Sequence, residues 1–214
     1  GFDIFNIRRD RQHTSSFDES TSGLTLRAGY PIALNLRQSV RYSIRHDVIE
    51  NLGSNASRFV LDQSGSRVSS TLGYTLTYDL RDDRLLPSEG YVVRFGQDLA
   101  GFGGNVRYLR NSLSYAYYQP LWDDWVGSLS FNEGYIMGLG QRVGISDRFF
   151  LGGNNFRGFA PSGVGPRDKV ALDSLGGKLY YVATAELTAP IELLQDYGIF
   201  GHIFTEMGSL SDAD

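Results

Sequence analysis

The feature that most constrains this chain is its hydrophobic period, which is two almost throughout. From 68 to 78, Val68, Ser70, Leu72, Tyr74, Leu76 and Tyr78 share one parity, and Ser69, Thr71, Gly73, Thr75 and Thr77 hold the other. From 34 to 46, Leu34, Leu36, Val40, Tyr42 and Ile44 oppose Asn35, Arg37, Ser39, Arg41, Ser43 and Arg45. From 109 to 118, Leu109, Leu113, Tyr115 and Tyr117 oppose Arg110, Ser112, Ser114 and Ala116. One-by-one alternation is the mark of a strand with one dry and one wet face. Weaker alternation at 21–29, 91–98, 125–134, 178–188 and 198–208, with an ambiguous stretch at 2–9, brings the candidate strands to nine. An all-β antiparallel architecture follows.

Strand length then separates two kinds of sheet. Several of these runs reach about ten residues, whereas globular strands average about five or six and a membrane-crossing strand needs about nine to eleven. Arg37, Arg41 and Arg45 recur on one face at intervals of about 13 Å. A soluble sandwich would turn that face to bulk water; a barrel would turn it to a wet lumen and the Leu/Tyr face to lipid. Parity alone leaves both open. Length favours the up-and-down transmembrane barrel, as do 13 Tyr, 13 Phe and 26 Gly. The mean hydropathy of −0.24 excludes a bundle of membrane helices, but not a barrel, whose alternating strands average out.

The connections alternate in character. Those near 30–33, 80–90, 119–125 and 189–197 each hold one proline: Pro31, Pro87, Pro120 and Pro190. Those near 10–20, 46–66, 99–105 and 138–177 carry Ser, Asn, Gly and Asp, and two are long. Short turns on one side and long loops on the other characterise outer-membrane barrels, and Trp122 and Trp125 fall where an interfacial girdle would place them. Nine strands is an odd number, and an open sheet edge has no hydrogen-bond partners in lipid. The reading is therefore an incomplete barrel, with no targeting signal at GFDIFNIRRD.

Chemical classes are few. The chain has no cysteine, so disulfide frameworks and thiolate chemistry are excluded. A net charge of −4 offers no global field for nucleic acid. The three histidines, His13, His46 and His202, lack an evident serine partner, so a nucleophile–base pair is not supported. Asp82-Asp83, Asp123-Asp124 and the pair Asp212 and Asp214 lack calcium-loop spacing and read as turns and a solvated end. Gly101, Gly103 and Gly104 lack the ending of a phosphate loop. No catalytic, metal or cofactor residue is assigned.

The connection at about 138–177 is too long to be neutral. Its centre, residues 147–168, carries Phe149, Phe150, Phe156 and Phe159 among many glycines. Four phenylalanines argue against disorder, and the loop reads as folded back into the lumen.

These residues resemble a known family. Gly152-Gly153, two asparagines, Phe156-Arg157-Gly158-Phe159 and Gly165-Pro166 are similar to the Arg-Gly-Phe loop of the BamA family of outer-membrane assembly proteins. Asp83-Arg84-Leu85-Leu86-Pro87-Ser88-Glu89-Gly90 resembles the family's turn before a strand. Tyr180–Leu187 and Phe204-Thr205-Glu206-Met207-Gly208 stand where family strands follow the loop. The resemblance implies a sixteen-stranded barrel of which residues 1–214 supply roughly the fifth to thirteenth strands. POTRA domains and the first and last strands would lie outside the segment. It implies a functional loop at Phe156, Arg157, Gly158 and Phe159, with Arg157 paired to loop-anchoring carboxylates at Glu186 and Glu206. The glutamate at 206 departs from the commoner aspartate, keeping the charge on a side chain one methylene longer. It further implies a non-enzymatic insertase of the bacterial outer membrane, with outer-membrane lipid, unfolded client barrel proteins and accessory assembly lipoproteins as partners. The alternatives are a two-partner-type secretion transporter of the same superfamily and a passive porin.

Overall fold

A computed structural model describes residues 1–54, 56–122, 124–191 and 199–212. Nine strands form one antiparallel sheet in chain order: β1 (Phe2–Asp10), β2 (Asp18–Ala33), β3 (Leu36–Glu50), β4 (Gly65–Asp79), β5 (Gly90–Gly104), β6 (Tyr108–Pro120), β7 (Val126–Gly138), β8 (Leu179–Pro190) and β9 (Phe200–Ser211). Each strand pairs with the next, and among the described residues β1 and β9 do not pair with each other. A single sheet cannot be a two-sheet sandwich. Leu72 and Tyr74 share the face of Leu113 and Tyr115, and none of them belongs to a dry core.

The register fixes two faces. Odd residues of β1 to β4 and even residues of β5 to β9 share the inner face, with Arg37 across from Thr77, Thr77 from Arg94, and Arg94 from Ser114. The outer face carries Leu26, Tyr42, Leu72, Phe95, Phe131 and Met207. No helix among the described residues is long and apolar enough to cross a membrane.

Strands run further than alternation indicates, up to the 16 residues of β2. Pro31 lies inside β2 rather than in a turn, at the register irregularity between Pro31 and Ala33, where the absent N–H breaks no regular ladder. Pro120 and Pro190 close β6 and β8. The β2–β3 turn is reduced to Leu34 and Asn35, so Leu34 leaves the strand expected from 34 and stands 97% exposed. Gly101, Gly103 and Gly104 finish β5, so the connection expected near 99–105 is reduced to residues 105–107 before β6. His13 sits in the short helix α1 (Gln12–Ser15) and His46 on the outer face of β3. Trp122 and Trp125 stack, ring centroids 5.6 Å apart, below β6 and β7. Asp123 and Asp214, each half of an acidic pair named above, lie outside the described residues.

The β4–β5 connection shows how local chemistry orders a turn. Asp82 accepts from the Ser88 hydroxyl at 2.5 Å and from the amides of Ser88 and Glu89 at 3.0 and 3.1 Å. Asp83 accepts from the amides of Leu85 and Leu86 at 2.6 and 2.9 Å. The Ser88 hydroxyl and then the Glu89 amide hold the Asp82 carboxyl well below the usual carboxylate range; the Leu86 and Leu85 amides lower Asp83. A depressed folded pKa means this ordering is complete above the unfolded value of about 3.9 and is lost only as pH falls through the lower folded one. Asp82→Ala is expected to speed amide exchange at Ser88 and Glu89 at neutral pH. Hydrogen-exchange mass spectrometry reads this directly.

Candidate functional site

The inner face is defined by what lies on it. Residues 139–178 fold back over β7, β8 and β9, and isolated bridges join Phe149 to Gly177, Leu151 to Val164 and Gly153 to Phe156. Leu151 and Phe156 of the loop are buried against Val182 and Leu210 of the wall, with Phe149, Val164 and Tyr180 beside them. Gly134 makes the contact possible. A Cβ there would stand 2.8 Å from the Phe149 ring and closer still to Tyr180. The absent side chain on β7 is the seat of the loop's aromatic anchor, and the Phe149 and Tyr180 rings meet at 4.8 Å.

At the tip, Arg157 is held by three groups. Its backbone N–H donates to Glu206 Oε2 at 2.8 Å and its Nε to Glu206 Oε1 at 2.7 Å. Its Nη1 donates to Glu186 Oε2 at 3.2 Å. Beneath it lies the Phe204 ring, 3.3 Å from guanidinium carbon to centroid, a cation–π contact at the short limit. Glu186 on β8 and Phe204 on β9 are direct cross-strand partners, as are Thr184 and Glu206. One patch of the wall therefore presents acid, ring and acid to one guanidinium. The longer glutamate at 206 reaches both the backbone amide and Nε. Gly158 follows with φ +86, a left-handed turn glycine adopts freely. Phe156 is 4% and Phe159 50% exposed, their rings stacked 4.7 Å apart.

His202 is drawn into this network rather than into a catalytic pair. Its Nδ1 lies 3.2 Å from Glu186 Oε1 and 3.1 Å from the Thr188 hydroxyl. Glu186 is thus shared between Arg157 and His202.

A second anchor sits ten residues earlier and has the opposite polarity. Asp147, 1% exposed, ends a short 3-10 turn (Ile145–Asp147). Its carboxylate receives the Arg45 guanidinium from β3, and Arg67 of β4 stands 3.7 Å away. Arg110 of β6 donates to its carbonyl oxygen. Arg45 is fixed in turn by Asp47 at 2.7 Å, and Asp47 by the Thr21 hydroxyl at 2.9 Å. The loop thus places an acid among wall arginines at one end and an arginine among wall acids at the other. Its return limb engages the outer loops: Asp173 accepts from Ser16 Oγ at 2.6 Å and from the Ser57 amide at 2.8 Å. Ser57 caps the helix α2 (Arg58–Leu61).

Sequence reasoning named Arg157, Glu186 and Glu206 together, and the structure places them in contact. It did not name Phe204 as the platform, nor Asp147, Arg67 or Asp173. The signal for Asp147 was present as a lone acid between Ile145 and the apolar run Phe149, Phe150 and Leu151, but its partners come from three different strands. No group of three or more His, Asp or Glu able to hold a metal occurs among the described residues.

Residues 1–214 match the family model described as the Omp85 superfamily domain. The chain is 32% identical over 216 residues to the outer membrane protein assembly factor BamA of Neorickettsia risticii (strain Illinois), a match covering 100% of this chain and 29% of that protein. It is 30% identical over 193 residues to the human sorting and assembly machinery component 50 homolog, covering 89% of this chain and 40% of the relative. A crystal structure of BamA from Haemophilus ducreyi lacking POTRA domains 1–3 superposes with a TM-score of 0.84 at 19% identity, over 99% of this chain and 46% of that one. The chain spans less than half the length of each.

Proposed function

The chain belongs to the Omp85 superfamily, and from that membership we propose that residues 1–214 are the central barrel wall and lumenal loop of a factor that assembles client β-barrel proteins into an outer membrane. POTRA domains and the first and last strands of a sixteen-stranded barrel are placed outside this segment. The activity is mechanical, not enzymatic. A barrel whose apolar band mismatches the bilayer perturbs the lipid around it, and an open sheet edge templates a client strand by β-augmentation.

The observation that carries this reading is the three-point hold on Arg157 by Glu206, Glu186 and the Phe204 ring. An ion pair taken from bulk water gains little net stability after its desolvation cost; its use is registry. Here it ties a 40-residue connection to two adjacent strands, so the loop reports on and restrains that wall. We place the protein in the outer membrane of a bacterium, supported by the full-chain likeness to a bacterial assembly factor, with outer-membrane lipid, unfolded clients and accessory assembly lipoproteins as partners. The mitochondrial relatives make a mitochondrial outer membrane the alternative compartment.

The test is Arg157→Ala in the full-length protein, with folded client barrels counted by their heat-modifiable electrophoretic mobility. Folded clients are expected to fall several-fold while the assembly factor itself remains folded, and Arg157→Lys to restore only part of the loss, since lysine lacks the planar fork. Wild-type client levels with a released loop tip would remove the proposed role.

A further inference from the structure

The outer face is evenly apolar on β2, where Leu24, Leu26, Ala28, Tyr30 and Ile32 follow one another, and on β4 from Leu72 to Tyr78. Over β5 to β7 it is interrupted. Gln97 stands between Phe95 and Leu99, Asn111 between Leu113 and Leu109, and Glu133 between Phe131 and Tyr135. Gln97 and Asn111 are direct cross-strand partners, joined from Gln97 Nε2 to Asn111 Oδ1 at 2.8 Å. Glu133 faces Leu113 on one side and Tyr181 on the other.

These positions lie inside the apolar band but within side-chain reach of its far edge, where headgroups sit. Glu133 lies seven residues into β7, which at about 3.3 Å per residue and a tilt of about 40° is roughly 18 Å up a band about 25 Å tall. Met137, further along the same strand, is 40% exposed apolar surface. An ionisable side chain set into a lipid-facing wall is costly and calls for a partner. By register, neither β6 nor β8 presents a basic side chain outward beside it.

We infer that this notch binds a membrane phospholipid whose headgroup carries a primary ammonium, with Glu133 as its counter-ion. Three features fit that chemistry. The carboxylate supplies a charge-assisted acceptor for the ammonium. Tyr135, two residues along β7, and Tyr181, directly across on β8, flank it and set aromatic rings beside a bound cation. The Asn111 carbonyl is occupied by Gln97, which leaves its amide N–H groups to donate to the headgroup phosphate. A headgroup with anionic charge alone would be repelled by Glu133, and a trimethylated ammonium cannot donate a hydrogen bond to it. The site lies on the opposite face of the sheet from the Arg157 clamp and does not depend on the assembly role.

The experiment takes the full-length protein from nanodiscs of phosphatidylethanolamine with phosphatidylglycerol, or of phosphatidylcholine with phosphatidylglycerol, into mild detergent, and counts retained lipids by native mass spectrometry. The wild type is expected to retain phosphatidylethanolamine over phosphatidylcholine, and Glu133→Gln to lower that retention about tenfold, the worth of one hydrogen bond to a charged group. Glu133→Lys is expected to move the preference to phosphatidylglycerol. Heat-modifiable mobility shows that each variant is folded. Equal retention of the two zwitterionic lipids by the wild type, or undiminished phosphatidylethanolamine on folded Glu133→Gln, overturns the inference, as does a co-purifying membrane protein in place of lipid.

Discussion

Asp147→Ala should destabilise the lumenal loop by about 3–5 kcal/mol, the cost of removing one partner from a buried charge cluster. The carboxylate is 2% exposed, while Arg45 and Arg67 are 24% and 18% exposed, so both cations would be left beside a cavity with little water to replace their partner. Asp47 compensates only in part, because it already serves Arg45 Nε and the Thr21 hydroxyl. The turn that carries Asp147 also packs Ile145 into the buried group of Phe17, Ile49 and Val60, so its release would loosen the outer loops as well. Trypsin provides the measurement. Arg148 follows Asp147 directly, and its side chain is only 7% exposed, held by Asp212 and lying over the Phe59 ring. In the full-length protein, cleavage after Arg148 should be slow in the wild type and rapid in Asp147→Ala. Asp147→Asn keeps the shape but not the charge, and should fall between them. Equal cleavage rates in all three would mean that hydrophobic packing alone seats this end of the loop.

What was legible in the sequence was whatever a single strand encodes about itself. Parity in 68–78 and 109–118 identified the faces because a strand's side chains alternate whatever its neighbours are. The 139–178 loop was legible as folded because Phe149 and Phe156 demand burial. Its Arg157 end was legible only through a motif shared with a family. Strand ends were misjudged where the ladder continues past the alternating runs: Asp18 to Ser20 begin β2, and Asp47 to Glu50, with Val48 and Ile49 adjacent, finish β3. The Asp147 anchor stayed hidden for a different reason. Arg45, Arg67 and Arg110 are far apart in sequence and meet only because the strand order and register bring β3, β4 and β6 to one level. A wet face rich in arginine is equally consistent with solvent until something acidic is seen to fold onto it. Phe204 was invisible as a platform because a phenylalanine on an inner face ordinarily reads as packing.

Glu206→Ala should free the loop tip and leave the Asp147 end in place. The substitution removes the acceptor of the Arg157 backbone N–H and of its Nε together. Glu186 would remain, at 3.2 Å through Nη1 alone, while also engaged by His202. Hydrogen bonds to a charged group contribute about 1.5–3 kcal/mol when buried. Arg157 is 39% exposed, so water screens part of that, and a loss of about 2 kcal/mol is the expected size. The readout is tryptic cleavage after Arg157, which should rise in Glu206→Ala while cleavage after Arg148 stays at its wild-type rate. Glu206→Asp separates the two bonds. The shorter acid can hold Nε or the backbone amide but not both in the present geometry, so it should restore part of the protection. Full protection in Glu206→Asp would show that the tip shifts toward β9 to follow its partner. Such a shift is physically reasonable only if the Phe204 ring travels with the guanidinium, and an exchange-broadened Phe204 signal would then accompany it. If instead cleavage after Arg148 and Arg157 rises together in either variant, the loop releases as one body. Its two ends, opposite in charge, would then be a single latch rather than two.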